Sequence, residues 1–218
     1  LPNYGLRIDD HTSFIRSGNY KRTKLLGSNN EGLVFNMPLQ QQPAILELGI
    51  PISAGLEWTG SLSTSLVNAA NQEMNNFTSK LTHRGSLSED INYRAGISYM
   101  LEDNLNMVGA SGGASYGNFT WTFAVDQAKN WIDGNTSLAL YDELAFEIMQ
   151  GVHLIGKYDF FDPKTDWTDG SISRYTIGAE IYPLNIMEIK LQVRINEVDM
   201  ENAAKKDPEY LIQTHLYF

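Results

Sequence analysis

One stretch of the sequence reads Met187-Glu188-Ile189-Lys190-Leu191-Gln192-Val193-Arg194-Ile195-Asn196, with apolar and polar side chains alternating without exception. Successive side chains of a β-strand point to opposite faces, so a strand would separate the two sets cleanly. A helix would scatter both sets around its circumference. The stretch therefore predicts a strand with one apolar face and one charged face.

The same alternation recurs along the chain and predicts an all-β, antiparallel fold. It is clear in Leu56–Thr64, Asp90–Tyr99, Asn118–Asp126, Val152–Phe160 and Arg174–Tyr182. Weaker patterns predict further strands at Gly32–Met37, Ala44–Ile50, Phe77–Gly85, Leu105–Tyr116, Leu138–Ile148 and Tyr210–Phe218. Together they give about a dozen strands of membrane-spanning length. No linker interrupts them, so we expect residues 1–218 to form a single domain.

The connections between these strands differ in length. Tyr116-Gly117-Asn118 and Leu184-Asn185 are short, whereas Asn68–Asn76, Lys129–Thr136, Asp162–Gly170 and Glu197–Pro208 are long and polar. Short turns at one end and long loops at the other are typical of outer-membrane barrels. Glu197–Lys206 would tolerate a helix, but we interpret it as a loop.

The charged faces indicate which kind of β-structure this is. Glu188, Lys190 and Arg194 lie on one face of one strand. A small, filled barrel would bury such charges at high cost, whereas a wide barrel with an aqueous lumen would not. We therefore predict an antiparallel transmembrane β-barrel. The alternative is a soluble β-sandwich binding protein, whose apolar faces would form the core.

This interpretation assigns two sets of strand residues. We expect apolar side chains to face lipid, namely Trp58, Phe119, Trp121, Phe123, Tyr175, Ile177, Ile189, Leu191 and Val193. We expect ionisable side chains to line the pore, namely Arg94, Asp126, Glu143, Glu147, Lys157, Asp159, Arg174, Glu180, Glu188, Lys190 and Arg194. Such charges tune which ions pass; the alternative is that they pair across strands and only keep the wall wetted. Asp142 breaks the apolar face of its strand, and we expect it near a membrane interface or beside a bulge.

The last alternating pattern concerns residues 210–218. Tyr210, Ile212, Thr214, Leu216 and Phe218 alternate up to a terminal aromatic residue. This resembles the last strand of bacterial outer-membrane proteins, which the barrel-assembly machinery recognises. The alternative is an ordinary final strand.

Composition narrows the classes of function. The chain has no cysteine, which excludes disulfides, thiolate metal sites and covalent c-type haem within it. A net charge of -10 argues against nucleic acid as a partner. The histidines His11, His83, His153 and His215 lack metal-ligand spacing, and no nucleophile elbow or phosphate-binding glycine loop is present. We expect no metal, no cofactor and no enzyme activity.

Several motifs carry a family resemblance. Lys157–Pro163, Arg174–Gly178, Tyr182-Pro183 and Gln192-Val193-Arg194 resemble the C-terminal part of porin-like proteins related to the phosphate-selective porins. Pro2–Arg7, with Asp9-Asp10 and Phe14–Arg16, resembles a segment that lies inside the barrel in those proteins. The resemblance implies the C-terminal portion of a longer chain, in a barrel of about sixteen to eighteen strands. It also implies that residues 1–30 fold into the lumen, where Arg7, Asp9, Asp10 and Arg16 would narrow the pore.

We expect the protein to be a passive, porin-like channel for small solutes or ions in the outer membrane of a Gram-negative bacterium. Phosphate selectivity is not carried over, because the phosphate-selective members depend on clustered lysines that this stretch lacks. The alternative is a barrel that sheathes a periplasmic multihaem cytochrome in an electron conduit. We also expect outer-membrane lipid and the barrel-assembly machinery as partners, and either a monomer or a homo-oligomer is compatible with the sequence.

Overall fold

The structure is a computed structural model that describes residues 3–6, 44–66, 73–131, 134–168, 170–199 and 205–216. Within these ranges the regular structure is entirely β. The eleven strands are β1 (Ile45–Ser53), β2 (Leu56–Ser63), β3 (Asn76–Ser86), β4 (Ile91–Glu102), β5 (Leu105–Tyr116), β6 (Phe119–Lys129), β7 (Thr136–Met149), β8 (Val152–Asp162), β9 (Ile172–Leu184), β10 (Met187–Val198) and β11 (Lys205–Leu216). None of the described residues form a helix long and apolar enough to cross a membrane.

The strands form one sheet in which each strand pairs with the next along the chain. The order runs from β1 to β11 without a crossover, and the pairings are antiparallel, as between β10 and β11. The predicted all-β antiparallel fold is confirmed. The sandwich alternative is wrong, because a sandwich needs two packed sheets and the described strands make a single one.

Consecutive antiparallel strands place their connections alternately at the two ends of the sheet. One end, here called the short-turn rim, holds residues 54–55, 87–90, 117–118, 150–151 and 185–186. At the other end, the long-loop rim, β2, β6, β8 and β10 end and β3, β7, β9 and β11 begin, with 6 to 12 residues between consecutive strands, and the short turn 103–104 lies there. This asymmetry is the one expected of outer-membrane barrels.

Local backbone chemistry supports the tight turns, as Gly55 shows. Its φ is +77°, a conformation that side chains other than glycine rarely adopt. A Cβ atom built there would lie 2.1 Å from the Arg84 carbonyl oxygen. The close approach allows the amide of Arg84 to donate to the Gly55 carbonyl at 2.8 Å, which ties the β1–β2 turn to β3.

The sheet exposes its apolar face and buries its charged face, which is the reverse of the arrangement in a soluble protein. On β10, Leu191 and Val193 are 40% and 44% exposed, whereas Lys190 and Arg194 are 6% and 2% exposed. We call the face that carries Lys190 and Arg194 the inner face, and the opposite one the outer face. Each strand continues these faces because cross-strand register keeps like positions side by side.

The loop interpretation of Glu197–Pro208 is wrong at both ends. β10 extends to Val198 and β11 begins at Lys205, with Pro208 opposite Ile195. A proline lacks an amide hydrogen, so strands tolerate it mainly at sheet edges. Among the described residues β11 is such an edge, since it pairs with β10 alone.

One of the two positions expected for Asp142, beside a bulge, is not found. The register between β7 and β8 is unbroken around it, and the one irregularity in this pairing lies between Glu147 and Met149. The bulge alternative is therefore wrong, and a position near a membrane interface stays a prediction. The predicted strand Gly32–Met37 lies outside the described residues.

Candidate functional site: the inner face

The inner face of β2–β4 is rich in hydroxyl groups. The buried residues there include Thr59, Ser61, Thr78, Thr82 and Ser98. The hydroxyls of Ser61 and Thr78, which are register partners, are in hydrogen-bond contact. This part of the wall combines hydroxyl groups with ionisable residues such as Lys80 and Glu102, both of which are buried.

The charged residues on the inner face of β7–β11 lie in rows that run across the strands. In one row Lys157 lies between Glu143 on β7 and Thr176 on β9, and its Nζ is 2.8 Å from Glu143 Oε2. In the next row towards the long-loop rim, Arg174 lies between Asp159 and Asn196, and its Nε donates to Asn196 Oδ1 at 2.7 Å. Lys157 is therefore paired with a carboxylate on the neighbouring strand, whereas the acceptor of the Arg174 bond, Asn196, is a neutral amide.

A third group of polar residues surrounds Glu188 near the short-turn rim. Its carboxylate accepts from the Tyr182 hydroxyl at 2.6 Å and lies 2.7 Å from His215 Nδ1. Lys190 Nζ is 3.4 Å from Glu188 and 3.5 Å from Glu180. Alternation places Glu188, Lys190 and His215 on polar faces, but it does not predict that they meet.

Close to the long-loop rim the inner face becomes apolar, which sequence reasoning missed. A buried cluster there contains Tyr4, Leu66, Met100, Leu105, Met107, Ala124, Ala128, Ala139, Tyr141, Phe161, Ile172 and Val198. Alternation predicts a polar inner face and gives no sign of this cluster. Residues near the strand ends, such as Met107 and Phe161, share the cluster with the loop residue Leu66.

Glu102 is a second feature that sequence reasoning missed. This buried carboxylate accepts from the Leu66 amide at 2.8 Å and from Asn76 Nδ2 at 2.9 Å, and it also contacts the Ser65 hydroxyl. It therefore holds the β2–β3 connection against the end of β4. A lone acidic residue at a strand end carries no sequence signal for this role.

Residues Asn3–Leu6, here called the inner segment, lie on the inner face. Gly5 donates its amide to Ser98 Oγ at 2.9 Å, and the Tyr4 hydroxyl donates to Asp126 Oδ1 at 3.1 Å. Tyr4 is buried. The other members of the predicted lumen segment, Arg7, Asp9, Asp10 and Arg16, lie outside the described residues.

The structure places the remaining predicted pore-lining residues at inner-face positions of β4 and β6–β10. Most are buried and Arg94, towards the short-turn rim, is exposed. The inner-face residues are Arg94, Asp126, Glu143, Glu147, Lys157, Asp159, Arg174, Glu180, Glu188, Lys190 and Arg194. Whether they contact permeating solutes stays a prediction.

The predicted lipid-facing residues lie on the outer face. Phe119, Trp121, Tyr175, Ile177, Leu191 and Val193 are exposed, and Trp58, Phe123 and Ile189 are partly buried. Trp121 and Phe123 stack with ring centroids 4.9 Å apart. The Trp121 Nε1 donates to Asp142 Oδ1 at 2.8 Å, so the carboxyl group that breaks the apolar pattern accepts a hydrogen bond from a neighbouring strand.

The end of the chain is only partly described. Tyr210, Ile212 and Leu216 lie on the outer face of β11 and are strongly exposed, whereas Phe218 lies outside the described residues. Among the described residues, no group of three or more His, Cys, Asp or Glu side chains is arranged to hold a metal ion.

Comparison with known proteins gives a fold relationship. No protein-family model and no curated protein matches the chain. OccAB4 of Acinetobacter baumannii, known from its crystal structure, superimposes with a TM-score of 0.54 at 9% identity, covering 79% of this chain and 52% of OccAB4. The chain has a porin-like β-barrel fold. It spans about half the length of OccAB4.

A second solved structure, the NanC porin, matches with a TM-score of 0.44 and 8% identity, covering 81% of this chain and 93% of NanC. Neither match addresses the resemblance to the phosphate-selective porins, which stays a prediction.

Proposed function

We propose that this chain forms part of the wall of a porin-like channel in a bacterial outer membrane, through which small solutes or ions diffuse passively. The observation that carries the proposal is the distribution of side chains on the sheet, with apolar residues outside and ionisable residues inside. The porin-like fold supports it.

The outer face supports a lipid environment. Large apolar side chains are exposed on strands across the sheet, from Leu48 on β1 through Trp121 on β6 to Ile212 on β11. Apolar surface left in water costs about 25 cal/mol per Å², and soluble monomers rarely expose contiguous apolar patches above a few hundred Å². Lipid removes this cost. A closed barrel also satisfies every backbone group without water.

Strand direction supports a larger barrel. β1 and β11 both run from the long-loop rim to the short-turn rim, so they are parallel to each other. Antiparallel closure therefore requires an odd number of additional strands between them. In a barrel of about sixteen or eighteen strands this would be roughly five or seven. The match to about half of OccAB4 supports the same proposal.

The exposed outer face of β11 supports recognition by the barrel-assembly machinery, which we propose as a partner. Tyr210, Ile212 and Leu216 share this face and are strongly exposed.

The channel is tested by reconstituting the detergent-purified full-length protein in planar lipid bilayers. Stepwise, ohmic current increments are expected, together with sugar uptake by liposomes that falls off with sugar size. A silent protein whose lumen is filled by a copurifying haem protein would instead favour the sheath alternative. Extraction from cells without detergent would contradict both.

A further inference from the structure

We propose that Lys80 and Asp126 hold the inner segment, Asn3–Leu6, against the inner face, and that the segment held there sets the calibre of the pore. The inference rests on the proposed channel function. Lys80 and Asp126 act as positioning residues, because they act through the segment that they hold.

The contacts of Lys80 form the centre of this arrangement. Lys80 is buried on β3, and its Nζ donates to Gly5 O at 2.5 Å and to Asn3 Oδ1 at 3.1 Å. The Asn3 amide in turn donates to Glu47 Oε2 on β1 at 3.0 Å. A buried ammonium group is stable only where such acceptors replace its water, so Lys80 and the inner segment stabilise each other.

Tyr4 provides the second anchor, on the other side of the segment. Its hydroxyl donates to Asp126 Oδ1 on β6, and both residues are buried. The space for this contact exists because residue 109 on β5 is glycine. A Cβ atom built on Gly109 would lie 1.9 Å from Asp126 Oδ1 and 2.9 Å from Tyr4 Oη.

The anchors are distributed over a large part of the wall. Glu47, Lys80, Ser98 and Asp126 belong to β1, β3, β4 and β6. The segment therefore lies across several strands rather than along one. β-structure packed face to face is spaced by about 10 Å, so a segment that lies on the inner face narrows the lumen by roughly that distance.

Two matched pairs of variants in the full-length protein test the proposal by single-channel conductance. Lys80→Gln removes a charge that contacts the inner segment. Arg84→Gln removes the same charge from the same face of β3, where Arg84 pairs with Glu57 at 3.0 Å. Gly109→Ala displaces Tyr4 or Asp126 without changing charge. Gly156→Ala is its control, because a Cβ atom built there meets nothing within 4 Å.

We expect Lys80→Gln and Gly109→Ala to raise the unit conductance roughly twofold, since conduction depends on the width of the constriction. Arg84→Gln, which removes only a charge from the lumen, should change the conductance by much less, and Gly156→Ala should leave it unchanged. A silent wild type that Lys80→Gln opens would support the same arrangement. The migration of unheated samples on a gel shows whether each variant is folded. If Lys80→Gln does not fold, the conductance of Gly109→Ala tests the proposal.

The outcomes separate this inference from the proposed function. If the wild type conducts and neither Lys80→Gln nor Gly109→Ala changes its conductance, the inference is overturned and the proposed channel function is not. An equal change in Lys80→Gln and Arg84→Gln also overturns it, because charge alone would then explain the effect. A silent wild type with silent variants overturns both.

Discussion

Lys157 on β8 and Glu143 on β7 face each other on the inner face, with 2.8 Å between Nζ and Oε2. The Lys157 side chain is buried, and Glu143 also accepts from the Tyr141 hydroxyl at 2.6 Å. The ion pair joins neighbouring strands at the middle of the wall. Its members are held by each other and by Tyr141.

Breaking this pair should destabilise the barrel. Lys157→Met leaves the Glu143 carboxylate without its cation, and removal of one member of a buried pair costs about 3 kcal/mol. Urea unfolding in lipid vesicles, followed by tryptophan fluorescence, measures the change in the free energy of unfolding. The double variant Lys157→Met/Glu143→Leu should recover part of the loss; a single variant as stable as the wild type would contradict the prediction.

The lipid contact of the outer face is tested by placing arginine at two equally exposed positions. Ile177, on the outer face of β9, is 76% exposed, and Leu87, in the β3–β4 turn, is 75% exposed. In a bilayer, Ile177→Arg should cost about 2–4 kcal/mol, because a charge on the lipid face loses its hydration. Leu87→Arg should change stability by less than about 0.5 kcal/mol.

The measurement for this pair is the free energy of unfolding in vesicles. If Ile177→Arg were as harmless as Leu87→Arg, the outer face would be in contact with water, and the transmembrane arrangement would have to be abandoned.

Asp142 should behave as a hydrogen-bond acceptor rather than as a required charge. Asp142→Asn keeps an oxygen for Trp121 Nε1 while removing an ionisable group from the outer face, so stability in vesicles should stay equal or rise. Asp142→Leu leaves the indole nitrogen without this acceptor, which costs about 1–3 kcal/mol. Equal stability of the two variants would show that the 2.8 Å contact contributes nothing.

Ion selectivity should change when a charge is removed from the inner face, but not when a charge is removed from the outer face. Glu147 and Asp142 both lie on β7, at inner-face and outer-face positions respectively, and neither is fully buried. Glu147→Gln should lower the permeability of cations relative to anions, because it removes negative charge from the lumen. Asp142→Asn removes the same charge from the far side of the wall and should not.

Reversal potentials in a salt gradient across planar bilayers measure this ratio. The same shift in both variants would show that the two faces are wrongly assigned with respect to the lumen.

Alternation made the strands and their faces predictable. In β10 every second residue from Met187 to Ile195 is apolar, and this local period determines which side chains share a face, whatever the strand pairs with. The start of β11 was not predictable in the same way. Lys205–Pro208 has no such period and is in a strand because it pairs with the end of β10.

The sequence predicted which residues lie on the inner face but not which of them contact each other. Charge and alternation identified Glu188 and Lys190 as polar-face residues, yet the approach of His215 depends on the register of β11 against β10. The apolar cluster at the long-loop rim was missed for the same reason. Met107 and Phe161 come from strands far apart in sequence, and each alone reads as an ordinary strand-end residue.

A two-residue repeat needs no distant partner, so local sequence is enough to define most of the strands and to separate apolar from ionisable side chains. Which side chains meet depends instead on how the strands pair. The Tyr4 hydroxyl and the Asp126 carboxylate are 122 positions apart and 3.1 Å from each other. Such a contact exists only once the intervening strands have paired in register, and no local pattern encodes it.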